Sequence, residues 1–359
     1  MANIGLLFAA LGYDVRIYGF GEDEQTGSYK GITFQRWKEM YGSGFSVASR
    51  RDAYKEEMIR AAVEAVPPDM IVSALSNCRA QRFLLSCAAK RGLPMFQSVC
   101  EWYDRNAFVG MSGLPKLIND RYSMYVQFPR VGNIIVISTL LDRYYASRGC
   151  RTVVIPTMVD MQEYGELPHP AHDRLRIAYA GAPARKDYIL NAIRALALLQ
   201  DEELRGIEMH LYGPTPEQLR ELGMPEELLE RCGDSLVCHG RIPYAQVKQR
   251  IAEADFTVLL RPDRRYANAG FPTKVGESMA CGTPVICNLT SDLGLYVRDG
   301  ETGLVAADES AEACAESFRR ALRMTAAERL TIRQAARKEA ENAFDYRNYV
   351  GHLRRLLER

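Results

Sequence analysis

At 359 residues the chain is long for one hydrophobic core and suits two domains of ordinary size. Its 47% hydrophobic and 25% charged residues are those of a globular protein, and a net charge of +1 supplies no field that would draw it to nucleic acid. The 9 cysteines are scattered without a C-x-x-C pair, which excludes a zinc ribbon or dithiol centre and fits buried thiols in a reducing compartment. Met1 to Gly12 shows neither a basic leader region nor a cleavage site. No apolar run approaches the roughly 20 residues that a membrane-spanning helix needs. The expected location is the cytoplasm.

Asn3 to Leu11 reads as a helix, whereas a doubly wound domain opens with a strand and a Gly-rich turn, so a first strand is expected to be missing. Strands are predicted at residues 13–18, 32–37, 70–75, 95–100, 134–138 and 153–156. Residues 163–174, EYGELPHPAHDR, are polar and proline-containing and read as a linker. Strands resume at residues 176–180, 207–212, 236–239, 256–260, 284–287 and 303–305. Helical patterns separate them, as where Ile189, Ile193, Leu196 and Leu199 fall on one stripe. Near-continuous Val, Ile and Leu runs predict parallel strands buried on both faces. The fold class is α/β, with a doubly wound N-terminal domain over residues 1–165 and a second over 174–342.

Chemistry concentrates in residues 261–288, RPDRRYANAGFPTKVGESMACGTPVICN. A strand ends at Arg261. A loop through Gly270, Phe271, Pro272 and Thr273 enters a helix that Gly282 closes. Such a loop at the carboxyl edge of a parallel sheet presents backbone N–H groups and a positive helix end to a phosphate. Lys274 and Arg261 add charge. Glu277, one turn beyond Lys274, is suited to accept hydrogen bonds from vicinal hydroxyls. A plain loop–helix–strand unit of any doubly wound domain has the same outline.

The run Glu277-Ser278-Met279-Ala280-Cys281-Gly282-Thr283-Pro284-Val285-Ile286 resembles the donor-site signature of family 4 glycosyltransferases, which have the GT-B fold. That motif pairs two glutamates, and Ala269 stands where the first would be. The F-P-T-K-x-x-E-S form is similar to a subgroup that builds bacterial surface polysaccharides. Other landmarks follow in the family's order. Gly181 ends a strand, with Ala182 where the family has Arg, and Lys186 matches its phosphate-binding Lys with Arg185 as a substitute for the lost Arg. Both cations also read as a solvated helix start. Gly213 resembles the next glycine turn, Arg241 and Ile242 the segment whose backbone reads the base, and residues 298–305 the late turn and strand.

The resemblance implies two Rossmann-like domains facing a crevice. The first takes the acceptor and is completed by residues 343–359, and the last helix, 326–359, crosses back to it. The second holds a nucleoside diphosphate sugar on Gly181, Gly213, Arg241, Ile242, Gly270, Phe271, Pro272, Thr273, Lys274 and Glu277. It implies sugar transfer to a hydroxyl of a glycan or lipid-linked glycan with retention of configuration. No metal or cofactor takes part, and a peripheral contact with the inner face of the cell membrane is allowed. Lys186, Arg185, Arg261 and Lys274 stabilise the departing diphosphate. In the first domain, Asp104 or Glu101 orients the acceptor hydroxyl, or pairs with Arg105 or Arg121. No D-x-D, P-loop or G-x-S-x-G motif is present. Two other readings stay open: a non-catalytic sugar-nucleotide-binding or scaffold subunit, favoured by Ala269 and Ala182, and an epimerase, which needs more acid and base groups than the first domain offers.

Overall fold

The computed structural model describes residues 2–38, 45–102, 114–165, 169–182 and 186–358, without the side chains of residues 2, 45–51 and 114–116. The chain forms two units, Met1–Pro156 with Tyr346–Arg359, and Thr157–Asp345.

The first unit contains β1 (Arg16–Gly21), β2 (Gln25–Tyr29), β3 (Ile32–Lys38), β4 (Ile71–Ser73), β5 (Met95–Val99), β6 (Asn133–Val136) and β7 (Arg151–Val154). They make two sheets, β1-β3-β2 and the parallel β4-β5-β6-β7. The helix Ala2–Ala10 opens the chain and packs on both, with Gly5 facing Ile17 and Ile32 and Phe8 against Phe96 of β5. β2 corrects the expectation of parallel strands alone, because it runs antiparallel to β3. Its residues are exposed throughout and polar or small except for Tyr29, so no apolar run announced it. The hairpin turns on Lys30 and Gly31, both at positive φ, the backbone twist that tight hairpins require. One apolar cluster joins the sheets, with Trp37 of β3, Ile71 of β4 and Met95 of β5 packed with Leu84 and Ala88 of the helix Cys78–Arg91.

The second unit contains β8 (Leu175–Ala180), β9 (Ile207–Tyr212), β10 (Leu236–Gly240), β11 (Phe256–Leu259), β12 (Val285–Asn288) and β13 (Gly303–Ala306). All pair in parallel, in the order β10-β9-β8-β11-β12-β13. The chain builds outward from β8 on one side and from β11 on the other. Their shared carboxyl end is therefore the topological switch point, where such sheets open a crevice for ligand. Ile177, Met209, Phe256 and Ile286 of the sheet pack with Ile193, Leu196 and Phe318 of its helices in the main core.

Two boundaries differ from the sequence reading. Residues 163–174 do not separate the units, because ring nitrogens of His169 and His172 hydrogen-bond to the carbonyls of Ala252 and Glu253 at 3.2 and 2.7 Å, inside the second unit. The expected single helix over 326–359 is broken. Ala326–Ala343 stays with the second unit, then a 3-10 turn, Tyr346–Tyr349, and a helix, Val350–Leu357, belong to the first. The break follows Phe344, which is fully buried against Phe271 and Tyr296 at ring distances of 5.8 and 4.9 Å. Asp345 bridges Val159.

Phe344 therefore ties the end of that helix to the wall of the loop leading into Thr273. Phe344→Ala leaves a cavity and is expected to lower the unfolding free energy by about 3–5 kcal/mol in urea titrations. A loss below about 1 kcal/mol contradicts this packing.

Candidate functional site

At the switch point three strand ends are laced together by backbone hydrogen bonds. Gly181 N–H donates to the Tyr212 carbonyl at 2.9 Å, and Gly213 N–H to the Gly240 carbonyl at 2.8 Å. Gly213 has φ +130°, and a Cβ there would lie 2.2 Å from the Gly181 carbonyl oxygen, so no side chain fits. Gly181 leaves room for Lys274: a Cβ on it would meet Lys274 Cε at 2.6 Å. Ile242 lies half-buried beside Ala178, Tyr212 and Ala254, and Arg241 is exposed next to it.

Two cations converge here from different elements. Arg261 follows β11, and the Asn288 side chain at the end of β12 holds its main chain by hydrogen bonds of 2.9 and 2.8 Å. Its own side chain is almost wholly buried, with Nε 3.8 Å from Asp187 Oδ1. Lys274 lies in the first turn of the helix Thr273–Ala280, whose N-cap, Pro272, provides no side-chain cap. Its ammonium contacts the Asp187 carboxylate, lies 3.4 Å from the Tyr179 hydroxyl and sits 4.9 Å from the Tyr179 ring centroid. Tyr179 in turn donates to Asp187 at 3.2 Å. Burial, with the Asp187 carboxylate beside it, raises the Tyr179 phenol well above its ordinary range, so it stays a neutral donor. The loop carrying Lys186 and Asp187 is fixed to the sheet where Tyr188 N–H donates to the Leu260 carbonyl at 2.8 Å.

Glu277 follows one turn after Lys274 on the same helix. Burial raises its carboxyl, and Lys274 and Lys248 offset this only in part.

The structure brings together Gly181, Gly213, Arg261 and Lys274, with Gly270, Phe271, Pro272 and Thr273 leading directly into the Lys274 helix. Lys186 stands beside Asp187 in the same loop, while Arg185 lies outside the described residues. Glu101 is in the first unit, just past β5, and Asp104 lies outside the described residues. Ala269 ends a short helix, Arg265–Ala269, where a loop was expected, and is fully buried. Asp187, Tyr179 and Asn288 were not among the expected site residues: Tyr179 and Asp187 lie within the strand and the Arg185-Lys186-Asp187 run that resemble the family, but the sequence assigns neither a role, and Asn288 reads as the end of a strand. No cluster of His, Cys, Asp and Glu able to hold a metal ion occurs among the described residues.

Residues 167–339 match the family described as Glycosyl transferases group 1. No curated protein matches the chain. Among solved structures, a sucrose-phosphate synthase from Thermosynechococcus elongatus is 17% identical with a TM-score of 0.73, covering 99% of this chain and 91% of that one. HepE of Anabaena, solved in complex with UDP and glucose, is 16% identical with a TM-score of 0.69, covering 99% and 95%. A glycosyltransferase from Rickettsia africae is 13% identical with a TM-score of 0.72, covering 99% and 93%. At these identities the likeness establishes a shared fold.

Two outcomes follow from this geometry. Gly213→Ala is expected to cost more than about 2 kcal/mol of stability, since both φ and space exclude a methyl group; an unchanged urea midpoint contradicts it. For Glu277 the raised carboxyl means that ionisation costs the folded state stability as pH rises above about 4.5. Glu277→Gln therefore melts above the wild type at neutral pH, and the difference closes below about pH 4.5. A variant that melts lower at neutral pH contradicts this.

Proposed function

We propose that the chain, which has the GT-B fold and whose residues 167–339 match the family described as Glycosyl transferases group 1, is a glycosyltransferase that moves a sugar from a nucleoside diphosphate sugar to a hydroxyl of a glycan or lipid-linked glycan, with retention of configuration and without a metal. The observation that carries the reading is the convergence of Lys274 and Arg261 at the switch point, beside an uncapped helix start. Two cations and free amides are what a departing diphosphate needs, because the leaving oxygen gains charge as the sugar bond breaks. Lys186, in the adjoining loop, adds a third cation. Glu277, at the far end of the same helical turn, is assigned to the ribose hydroxyls. Arg241 and Ile242 are assigned to the base. Glu101, just past β5 in the first unit, is assigned to the acceptor hydroxyl.

The complex of Anabaena HepE with UDP and glucose supports starting with UDP-sugars. The F-P-T-K-x-x-E-S run supports a role in bacterial surface polysaccharide synthesis. No described helix is long and apolar enough to cross a membrane. A lipid-linked acceptor would bring a cytoplasmic enzyme to the inner membrane face as a peripheral protein. A second reading, a sugar-nucleotide-binding subunit without turnover, is favoured by Ala269, a fully buried methyl where the motif has its first glutamate.

Nucleotide release from UDP-, GDP- and dTDP-sugars, with and without glycan acceptors, separates the two. Transfer in the presence of a chelator, with the anomeric configuration kept, is the expected result. Donor binding without release under any acceptor supports the second reading, and loss of transfer on chelation overturns the metal-free mechanism. Lys186→Ala is expected to bind donor nearly as well as the wild type and to lose roughly 10²–10³ in turnover, since the charge it meets develops in the transition state. Full turnover in that variant removes Lys186 from the chemistry.

A further inference from the structure

Asp187 is the hub of the polar site, although a pocket for a diphosphate does not obviously call for a carboxylate. It touches the Lys274 ammonium, accepts from the Tyr179 hydroxyl at 3.2 Å and lies 3.8 Å from Arg261 Nε, with its side chain 11% exposed. A phosphate oxygen selects the same partners: a compact ammonium, the edge of a guanidinium and a hydroxyl donor. Neither cation is free to face an empty pocket cheaply. Arg261 is almost wholly buried and Lys274 about two-thirds covered, with 33% of its side chain exposed. Two partly desolvated cations without an anion between them would repel each other and lose hydration.

We propose that Asp187 is the resident counter-ion of the donor site, a carboxylate that stands in for a donor phosphate in the free enzyme and gives way to the diphosphate on binding. The inference rests on the donor reading above and deepens it. Asp187 opposes an incoming phosphate by charge, yet it keeps Lys274 and Arg261 in place and the empty site stable. It thereby sets how tightly a nucleoside diphosphate is held, and weakens the grip on the nucleotide that remains after transfer. A carboxylate that served only as a structural strut would have the opposite signature, because its loss would let the cations disperse and weaken binding.

The test uses inorganic pyrophosphate as probe, titrated calorimetrically into the wild type and Asp187→Asn at low and at about 150 mM salt. With the like charge removed, Asp187→Asn is expected to bind pyrophosphate about ten-fold more tightly at low salt, with a steeper salt dependence. The free variant is expected to melt below the wild type and to recover more on adding pyrophosphate. The double variant Asp187→Asn with Lys274→Met removes one of the two uncompensated cations and with it their mutual repulsion, and is expected to melt above Asp187→Asn alone. If Asp187→Asn fails to fold, that double variant decides: rescue supports the counter-ion and no rescue overturns it. Wild-type binding that Asp187→Asn leaves unchanged or weakens overturns the counter-ion alone. Failure of both proteins to bind pyrophosphate, UDP, GDP and dTDP overturns the donor reading with it.

Discussion

Where two neighbouring parallel strands send their chains to opposite sides of the sheet, the loops that leave them diverge and a gap opens at their carboxyl ends. In the second unit that place is between β8 and β11, and the rest of the site depends on it. β8 delivers Gly181 and the loop of Lys186 and Asp187, β11 delivers Arg261, and the helix Thr273–Ala280 delivers Lys274. Asp187, Arg261 and Lys274 are far apart in sequence, and the sheet order brings them together. The backbone contact between Gly213 and the Gly181 carbonyl then fixes how closely the strand ends approach.

Electrostatics decides what this gap can hold. A buried guanidinium is tolerable only with an opposite charge or good acceptors, and the free enzyme supplies the charge from Asp187. Glu277 sits at the other end of the balance, since burial disfavours its ionised form. Glu277 is held at the expense of the empty protein's stability, whereas Asp187 supports it by compensating the two cations. Farther from the site the charges serve the fold. Arg333 donates to the carbonyls of Ala252 and Ala254, and burial lowers its guanidinium to about 10. His169, Arg329 and the Arg176 N–H converge on Asp255, tying the start of the second unit to its sheet.

Much of this was legible in the residues. The runs that became β11 and β12 are buried along their whole length in a parallel sheet, so their apolar content is easy to read. The loop and helix through Gly270, Thr273 and Lys274 were legible because glycine, proline and a following helical period mark such a turn. β2 was hidden because an exposed antiparallel strand of Gln25, Thr26, Gly27 and Ser28 has no hydrophobic signature. The break after Phe344 was hidden because the packing of one aromatic ring against Phe271 and Tyr296 is a tertiary fact. Asp187 was hidden for a related reason. The sequence gives it no partner, and only the fold reveals that it meets Lys274 and Arg261, far along the chain.

If the switch point of the second unit is the seat of the donor diphosphate, a crystal structure with the nucleoside diphosphate that raises the melting temperature most among UDP, GDP and dTDP will show it. Phosphate oxygens are expected within hydrogen-bonding distance of Lys274 and Arg261, with the ribose hydroxyls on Glu277 and Asp187 no longer in contact with Lys274. A diphosphate seated elsewhere on the protein, or one bound at the switch point with neither cation in contact, contradicts it.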